Sequence, residues 1–537
     1  MKEALSELSE TAAVFGGGLE FRQPRHPGLN DGLIIPGSWF PLGTPLEAVR
    51  SVAAERAPLR GSLRVAVVLV DFTDRPMGAA HGRKHFEDLF FSRGVLPGGS
   101  VREYFAEVSN GLVDIVGQVV GPYRMPRTLA EYANGRSGMS TDEPNARTMA
   151  RHAAEAANRD VDFAPYDNDG NGFVDAFVVV HAGAGAEQTG SGGDIWSHKW
   201  VLANGEYNAD GTRIYAYLTV PEDARIGVCC HELGHLLFGW PDLYDTDSSS
   251  EGLGNWCLMA GGSWNGNGDC PAHPSAWCKA QQGWVRVVNQ TANGSLSVGS
   301  VGTSNTVYRL WKDGAPGREY FLVENRQRQR YDRLLPGDGL LVYHVDDAVS
   351  GNADERHPKV ALLQADGNTD LERAVNRGDA GDPFPGTRGN TSLTGTTNPH
   401  TRSYGNLPTG VTLTRISPSG PVMTAGVTVR AATPVLPPRR RPRRFFAPAE
   451  GAGAYGPRPQ GRRAHLLHEL PAEGHAYGDR DATAGGDPAD AEWRESVEER
   501  LAALEAARAP EADTGGTIPM RIVASAETNG EGGPDQY

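Results

Sequence analysis

The sequence predicts an α/β (α+β) domain followed by a β-rich region and a disordered tail, and three observations carry that prediction. Two apolar runs rich in β-branched residues, Leu63–Phe72 and Ala176–His181, have the composition of strands buried on both faces. Stretches with helical apolar spacing at 100–109 and 145–158 alternate with strands, the βα rhythm of an α/β domain. After Trp284 the texture changes to short strands separated by Gly, Pro, Asn and Asp, and from Pro434 to a Pro, Arg, Ala and Gly bias.

In chain order, residues 1–57 read as an irregular leader or cover segment, with Gly16, Gly17 and Gly18 and a turn-rich stretch from Pro24 to Pro45. The α/β domain is placed at 58–286. Leu63–Phe72 opens its sheet. The first helix starts on a capping box, Ser100 with Glu103, and aligns Val101, Tyr104, Phe105 and Val108. Val113–Val120 reads as a strand, 145–158 as a helix and Ala176–His181 as a buried strand. Residues 287–433 form the β-rich region, sandwich-like, with strands at Thr306–Trp311, Tyr320–Glu324, Gly339–Val345 and Val422–Val429. Residues 434–537, with their early run Pro437–Arg444, bury too little apolar surface to offset the entropy of ordering. They read as a mostly disordered tail, interrupted by an amphipathic helix near Asp490–Ala507.

A net charge of -15 over 537 residues gives no electrostatic reason to expect a nucleic-acid partner. No apolar run is long enough for a membrane span. Met1–Gly18 carries Lys2, Glu3, Glu7 and Glu10 and lacks the basic, apolar, small-residue order of a secretory signal, which leaves a cytoplasmic location open. Cys229, Cys230, Cys257, Cys270 and Cys278 are an odd set without C-x-x-C spacing, so no disulfide scaffold or cysteine zinc site is expected. Cys229 and Cys230 read as small apolar fillers.

The chemistry concentrates in Pro221–Asp242. Pro221 suits a first helical turn with Glu222 and Asp223 behind it, and Gly239 followed by Pro241 suits a stop, so the segment reads as one long helix. Ile226, Cys229, Cys230, Leu233, Leu236 and Leu237 anchor one face. His231 and His235, four residues apart, stand one above the other on another face, close enough to share a zinc ion. Glu232 beside them is placed as general base for water activated by that metal, the H-E-x-x-H pattern. Catalytic zinc needs a third protein ligand and an open position. Asp242 and Glu251 are equal candidates, with Asp245 weaker. Met259, before Ala260, Gly261 and Gly262, reads as a turn that floors the metal, and Tyr244, His198 and His344 are candidate oxyanion partners.

A second site is expected at Asp167–Asp175. Asp167, Asp169, Asn171 and Asp175, with the Phe173 carbonyl and Gly172 at the turn, match positions of an EF-hand-type loop for Ca2+, without the terminal Glu or the flanking helices. Asp366, Asp370, Asp379 and Asp382 form another acidic group, which loop composition explains equally well.

With these residues in place, the chain resembles the immune inhibitor A family of secreted bacterial metallopeptidases. The resemblance rests on Tyr166–Asp175, His181–Gly185, Ile195–His198, His231–Asp245 and Trp256–Trp264, and downstream on Leu322–Arg326, Gly339–Asp346 and Gly381–Pro385. It implies a zincin-like catalytic domain, zinc endopeptidase activity on protein or peptide substrates, calcium support and an extracellular location. The family pattern H-E-x-x-H-x-x-G-x-x-D has one residue fewer than this chain, whose Phe238 is extra, and that bears on Asp242. The competing reading is a metal-containing binding or adhesion protein of the same fold without turnover.

Overall fold

Leu63–Phe72 becomes the second strand of a five-stranded sheet because it can be covered on both sides. A computed structural model of the chain describes residues 29–34, 36 and 58–429; most of the leader assigned to 1–57, the tail assigned to 434–537 and its helix near Asp490–Ala507 lie outside the described residues. The strands of the first sheet are β1 (Gly61–Asp71), β2 (Val113–Arg124), β3 (Phe177–His181), β4 (His198–Val201) and, after a small hairpin of β5 (Tyr207–Ala209) and β6 (Thr212–Ile214), β7 (Ala216–Pro221). Their order is β2-β1-β3-β7-β4, parallel throughout except for the antiparallel edge strand β4. Alternate β1 residues enter two cores: Leu63, Val65, Val67 and Leu69 face one side, Ala66, Val68 and Val70 the other.

Helices fill both sides. The described helices are α1 (Arg83–Phe91), α2 (Val101–Val108), α3 (Leu129–Ala133), α4 (Ala146–Ala157), α5 (Ala186–Thr189), α6 (Ile226–Phe238) and α7 (Ala276–Gln281). The predicted capping box is present on α2, with the Glu103 N–H donating to the Ser100 hydroxyl. Asn145 caps α4 in the same way. Helices α1, α2, α6 and α7 share one core, and α3 and α4 pack on the opposite face.

Downstream, β8 (Arg286–Gln290), β10 (Thr306–Trp311), β11 (Glu319–Arg326), β12 (Gly339–Asp346) and β13 (Val360–Leu362) form a second sheet ordered β13-β12-β11-β10-β8. A third sheet, β14-β15-β9, is made of β9 (Gly294–Gly299), β14 (Thr412–Thr414) and β15 (Val422–Thr428). Phe321, Val323, Leu340 and Val342 of the second sheet meet Leu296, Leu413 and Met423 of the third, which makes a sandwich. The opposite face of the second sheet, Tyr320, Leu322, Leu341 and Tyr343, joins the core that holds α6. That double cover explains why β11 and β12 are buried nearly end to end instead of alternating. It also makes the core continuous across position 286.

A buried ionic network crosses this seam. Lys279 of α7 donates to Glu324 at 2.7 Å, Arg326 donates to Glu324 at 3.1 Å and to Asp332, and the Tyr343 hydroxyl donates to Glu324 at 2.9 Å. Arg326 also donates to the Trp256 carbonyl, so the second sheet holds the turn beneath the metal helix.

Candidate metal centre

Helix α6 starts later than the sequence predicts. Val220 and Pro221 pair with Val180 and His181 of β3, so the strand keeps them and the helix begins at Ile226. Glu222 and Asp223 therefore precede the helix, and the Glu222 carboxylate accepts from the backbone N–H of Gly78 at 2.6 Å and of Gly183 at 3.0 Å. Ile226, Cys229, Cys230, Leu233, Leu236 and Leu237 anchor the helix in the core as expected, and every residue of α6 is buried. Gly234 is small for a reason: a Cβ there would lie 2.6 Å from the Met259 sulfur, so the predicted methionine floor packs directly against the helix between the two histidines.

The helix ends at Gly239, at φ +66°, whose N–H points to the carbonyls of Gly234 and His235. This left-handed cap turns the chain back at once, and the extra residue Phe238 is absorbed in the last helical turn.

Two backbone carbonyls then fix the imidazoles. His231 Nδ1 bonds the Leu258 carbonyl at 2.9 Å, and His235 Nδ1 bonds the Trp240 carbonyl at 2.6 Å. A carbonyl oxygen only accepts, so each Nδ1 carries a proton, and in the neutral imidazole each Nε2 presents a lone pair. The two Nε2 atoms lie 3.2 Å apart, and each lies 3.1 Å from Asp242 Oδ1. Three such atoms this close are held together by a proton or by a metal cation among them. Tetrahedral zinc at about 2.1 Å from each ligand would space them by roughly 3.4 Å, so the donor set and its dimensions fit that ion.

Burial pushes Asp242 up, but His235 and His231 outweigh it and hold the carboxyl far below the usual range. Burial pulls His231 down, yet the hydrogen bond to Asp242 and the charges of Glu232 and Asp242 raise it to about 9. Burial raises Glu232 to about 8 against the opposing pull of His231. Its Oε2 is buried without a hydrogen-bond partner.

The other candidates fall elsewhere. Glu251 sits on Arg377 at 3.2 Å and does not join the histidines. Asp245 accepts from Ser249 and Ser250 and secures the loop after Asp242. His198 bonds the Tyr217 hydroxyl at 2.9 Å, and His344 stacks on Tyr404 and bonds Glu319 in the second sheet. Of the three oxyanion candidates, Tyr244 alone is at the centre, its ring stacked over His231.

Asn30 is the residue that sequence reasoning missed. Its backbone N–H donates to the Lys199 carbonyl on β4 at 2.9 Å, its Oδ1 accepts from Lys199 N–H at 3.1 Å, and its Nδ2 donates to Asp242 Oδ2 at 3.3 Å. Asp31 pairs with the fully buried Lys199 ammonium at 3.2 Å. Leu29 and Ile34 are buried in the cores on the two faces of the first sheet. No motif marks Asn30; a turn-rich leader offers many such residues.

At the predicted calcium loop, carboxylate oxygens of Asp167, Asp169 and Asp175 lie within 4.8 Å of one another. Asp167 Oδ1 is buried without a partner. Its other oxygen accepts from Gly172 N–H at 2.8 Å, and Asn171 Oδ1 accepts from Phe173 N–H at 2.9 Å, which curls the loop. The flanks are a 3-10 turn and strand β3. Asp366, Asp379 and Asp382 converge similarly, whereas Asp370 turns to Arg373.

The matching family model is that of the immune inhibitor A peptidase M6 catalytic domain, over residues 62–289. The chain is 33% identical over 270 residues to the pre-pro-metalloprotease PrtV of Vibrio cholerae serotype O1, a match covering 40% of this chain and 29% of that protein. It is 31% identical over 222 residues to immune inhibitor A of Bacillus thuringiensis subsp. alesti, covering 34% of this chain and 32% of that protein. These matches span under a third of either relative's length. No described helix is long and apolar enough to cross a membrane. Residues 62–289 thus match the immune inhibitor A peptidase M6 catalytic domain, and the relatives matched are, by name, a metalloprotease and an immune inhibitor A.

Proposed function

We propose that this chain is a zinc-dependent endopeptidase in which His231, His235 and Asp242 hold the metal and Glu232 is the general base. The observation that carries the reading is the meeting of three acceptors beside a buried carboxylate with a free oxygen. When bound, zinc supplies Lewis-acid polarisation and lowers the pKa of water. Glu232, raised by burial, takes a proton on Oε2 and returns it to the leaving amine. Leu258 and Trp240 keep both imidazoles in the required tautomer, and Met259 supports the helix from below.

A polypeptide substrate is favoured over other hydrolysable molecules by the edge of β4. Asn30 already joins that edge by main-chain pairing to Lys199, as an added strand would. In this reading the leader is a cover segment. It occupies the peptide path, with the Asn30 amide on Asp242, and must leave before substrate enters. Asp167, Asp169, Asn171, Asp175 and the Phe173 carbonyl hold Ca2+ as structural support, and the protein works outside the cell like the family it resembles.

The test is cleavage of denatured casein by Glu232→Gln after removal of residues 1–57 from both proteins. Loss of the general base lowers kcat about 10²- to 10⁴-fold with zinc content unchanged. Cleavage at the wild-type rate would refute the assignment, as would activity that survives chelation.

A further inference from the structure

Cys257 and Cys278 approach each other from two segments that flank the metal floor. Cys257 leads into the turn that carries Leu258 and Met259, and Cys278 sits in α7. Both are fully buried. Ser275 touches both sulfurs: its N–H donates to Cys257 Sγ at 3.3 Å and its hydroxyl to Cys278 Sγ at 3.4 Å. The Met259 N–H also donates to Cys257 Sγ, at 3.4 Å. Both are free thiols; burial pushes both up, but the neighbouring Cys278 and the N–H donors of Met259 and Ser275 outweigh it and lower the Cys257 thiol, while Cys278 stays raised. Cys270, by contrast, donates to the Tyr331 carbonyl at 3.2 Å.

We propose that Cys257 and Cys278 close a disulfide when the chain folds in an oxidising environment, pinning the turn that orients His231. The oxidant is a small-molecule disulfide. The Cys257 thiolate attacks it and releases one thiol; the Cys278 thiolate then attacks the Cys257 sulfur of the mixed disulfide and releases the second. Two protein thiols are oxidised, one small disulfide is reduced, and the two protein protons pass to the released thiolates. The bridge closes a loop from the methionine turn to α7, limiting how far the Leu258 carbonyl can leave His231 Nδ1. The bridge itself does not depend on the peptidase reading; its effect on metal retention does.

The full chain is refolded in a buffer of oxidised and reduced glutathione, trapped with iodoacetamide under denaturing conditions and digested without reductant. The expected map contains one cross-linked pair joining the Cys257 and Cys278 peptides, with Cys229, Cys230 and Cys270 alkylated. All five cysteines alkylated, or a bridge to any other cysteine, overturns the proposal. For metal retention, the zinc-loaded oxidised chain is mixed with a chromogenic chelator beside its reduced form and a Cys278→Ser variant. Zinc leaves the oxidised chain several-fold more slowly than the other two; equal rates beside a confirmed cross-link would remove the metal-retention role and leave the bridge. Failure to bind zinc in any form would instead count against the metal site.

Discussion

Replacing Asn30 with Ala tests whether the leader holds the cleft shut. The substitution removes two side-chain hydrogen bonds, from Lys199 N–H at 3.1 Å and to Asp242 Oδ2 at 3.3 Å, and leaves the main-chain bond to Lys199 in place. A neutral hydrogen bond contributes about 1 kcal/mol and one to a charged group about 1.5 to 3, and the length of the Asp242 contact argues for the lower end. The closed form therefore loses about 2 to 3 kcal/mol, roughly a 30- to 150-fold shift toward the open form. Leu29, Ile34 and the Asp31–Lys199 pair are untouched, so the leader stays attached. The assay is the initial rate of cleavage of a quenched fluorescent casein by zinc-loaded full chain, wild type against Asn30→Ala, with chain lacking residues 1–57 as the fully open reference. The variant should exceed wild type by tenfold or more, up to the rate of the reference. Equal rates in wild type, variant and reference would refute the cover reading, because a segment that blocks the path must slow catalysis.

Asp242→Ala should abolish zinc retention after dialysis, while Glu251→Ala keeps it and loses only the Arg377 pair; metal analysis of both decides which carboxylate is the ligand. Asp167→Asn should remove most of the rise in Tm that Ca2+ gives the wild type, since ligand present at about 100 times its Kd stabilises by about 2.7 kcal/mol. Asp382 gives a pH signature. Burial raises its carboxyl to about 7, so the folded state binds its proton more tightly than the unfolded state, and stability falls as pH rises from about 4 to about 7. In calcium-free urea titrations at the two ends of that window, the wild type should lose at most about 4 kcal/mol through this group, and Asp382→Asn should lose less.

Much of the frame was legible because it depends on local pattern. The strands at 63–72 and 306–311 and the helix at 145–158 emerge within a residue or two of their expected ends, since β-branched runs and asparagine or serine caps act over a few residues. The start of the metal helix was not legible. Pro221 suits a helix and a strand end equally, and pairing of β7 with β3, some forty residues earlier, decided for the strand. The full burial of α6 is likewise set by packing: a second sheet covers what a lone helix would leave exposed.

The order His231, Glu232, His235 by itself placed two imidazoles and a carboxylate together, because side chains four residues apart on any helix must lie together, and that is the arrangement the proposed zinc site with its base requires. Sequence composition likewise determined the oxygen-rich loop at 167–175. Only the tertiary structure separated Asp242 from Glu251: the left-handed turn at Gly239 brings Asp242 back to the histidines, and Glu251 pairs with the Arg377 guanidinium. It alone brought Asn30 to Asp242, a separation of 212 residues, and Cys257 and Cys278 onto the same Ser275. Contacts of that kind are set by how layers pack, and packing is a property of the whole fold that no local pattern records.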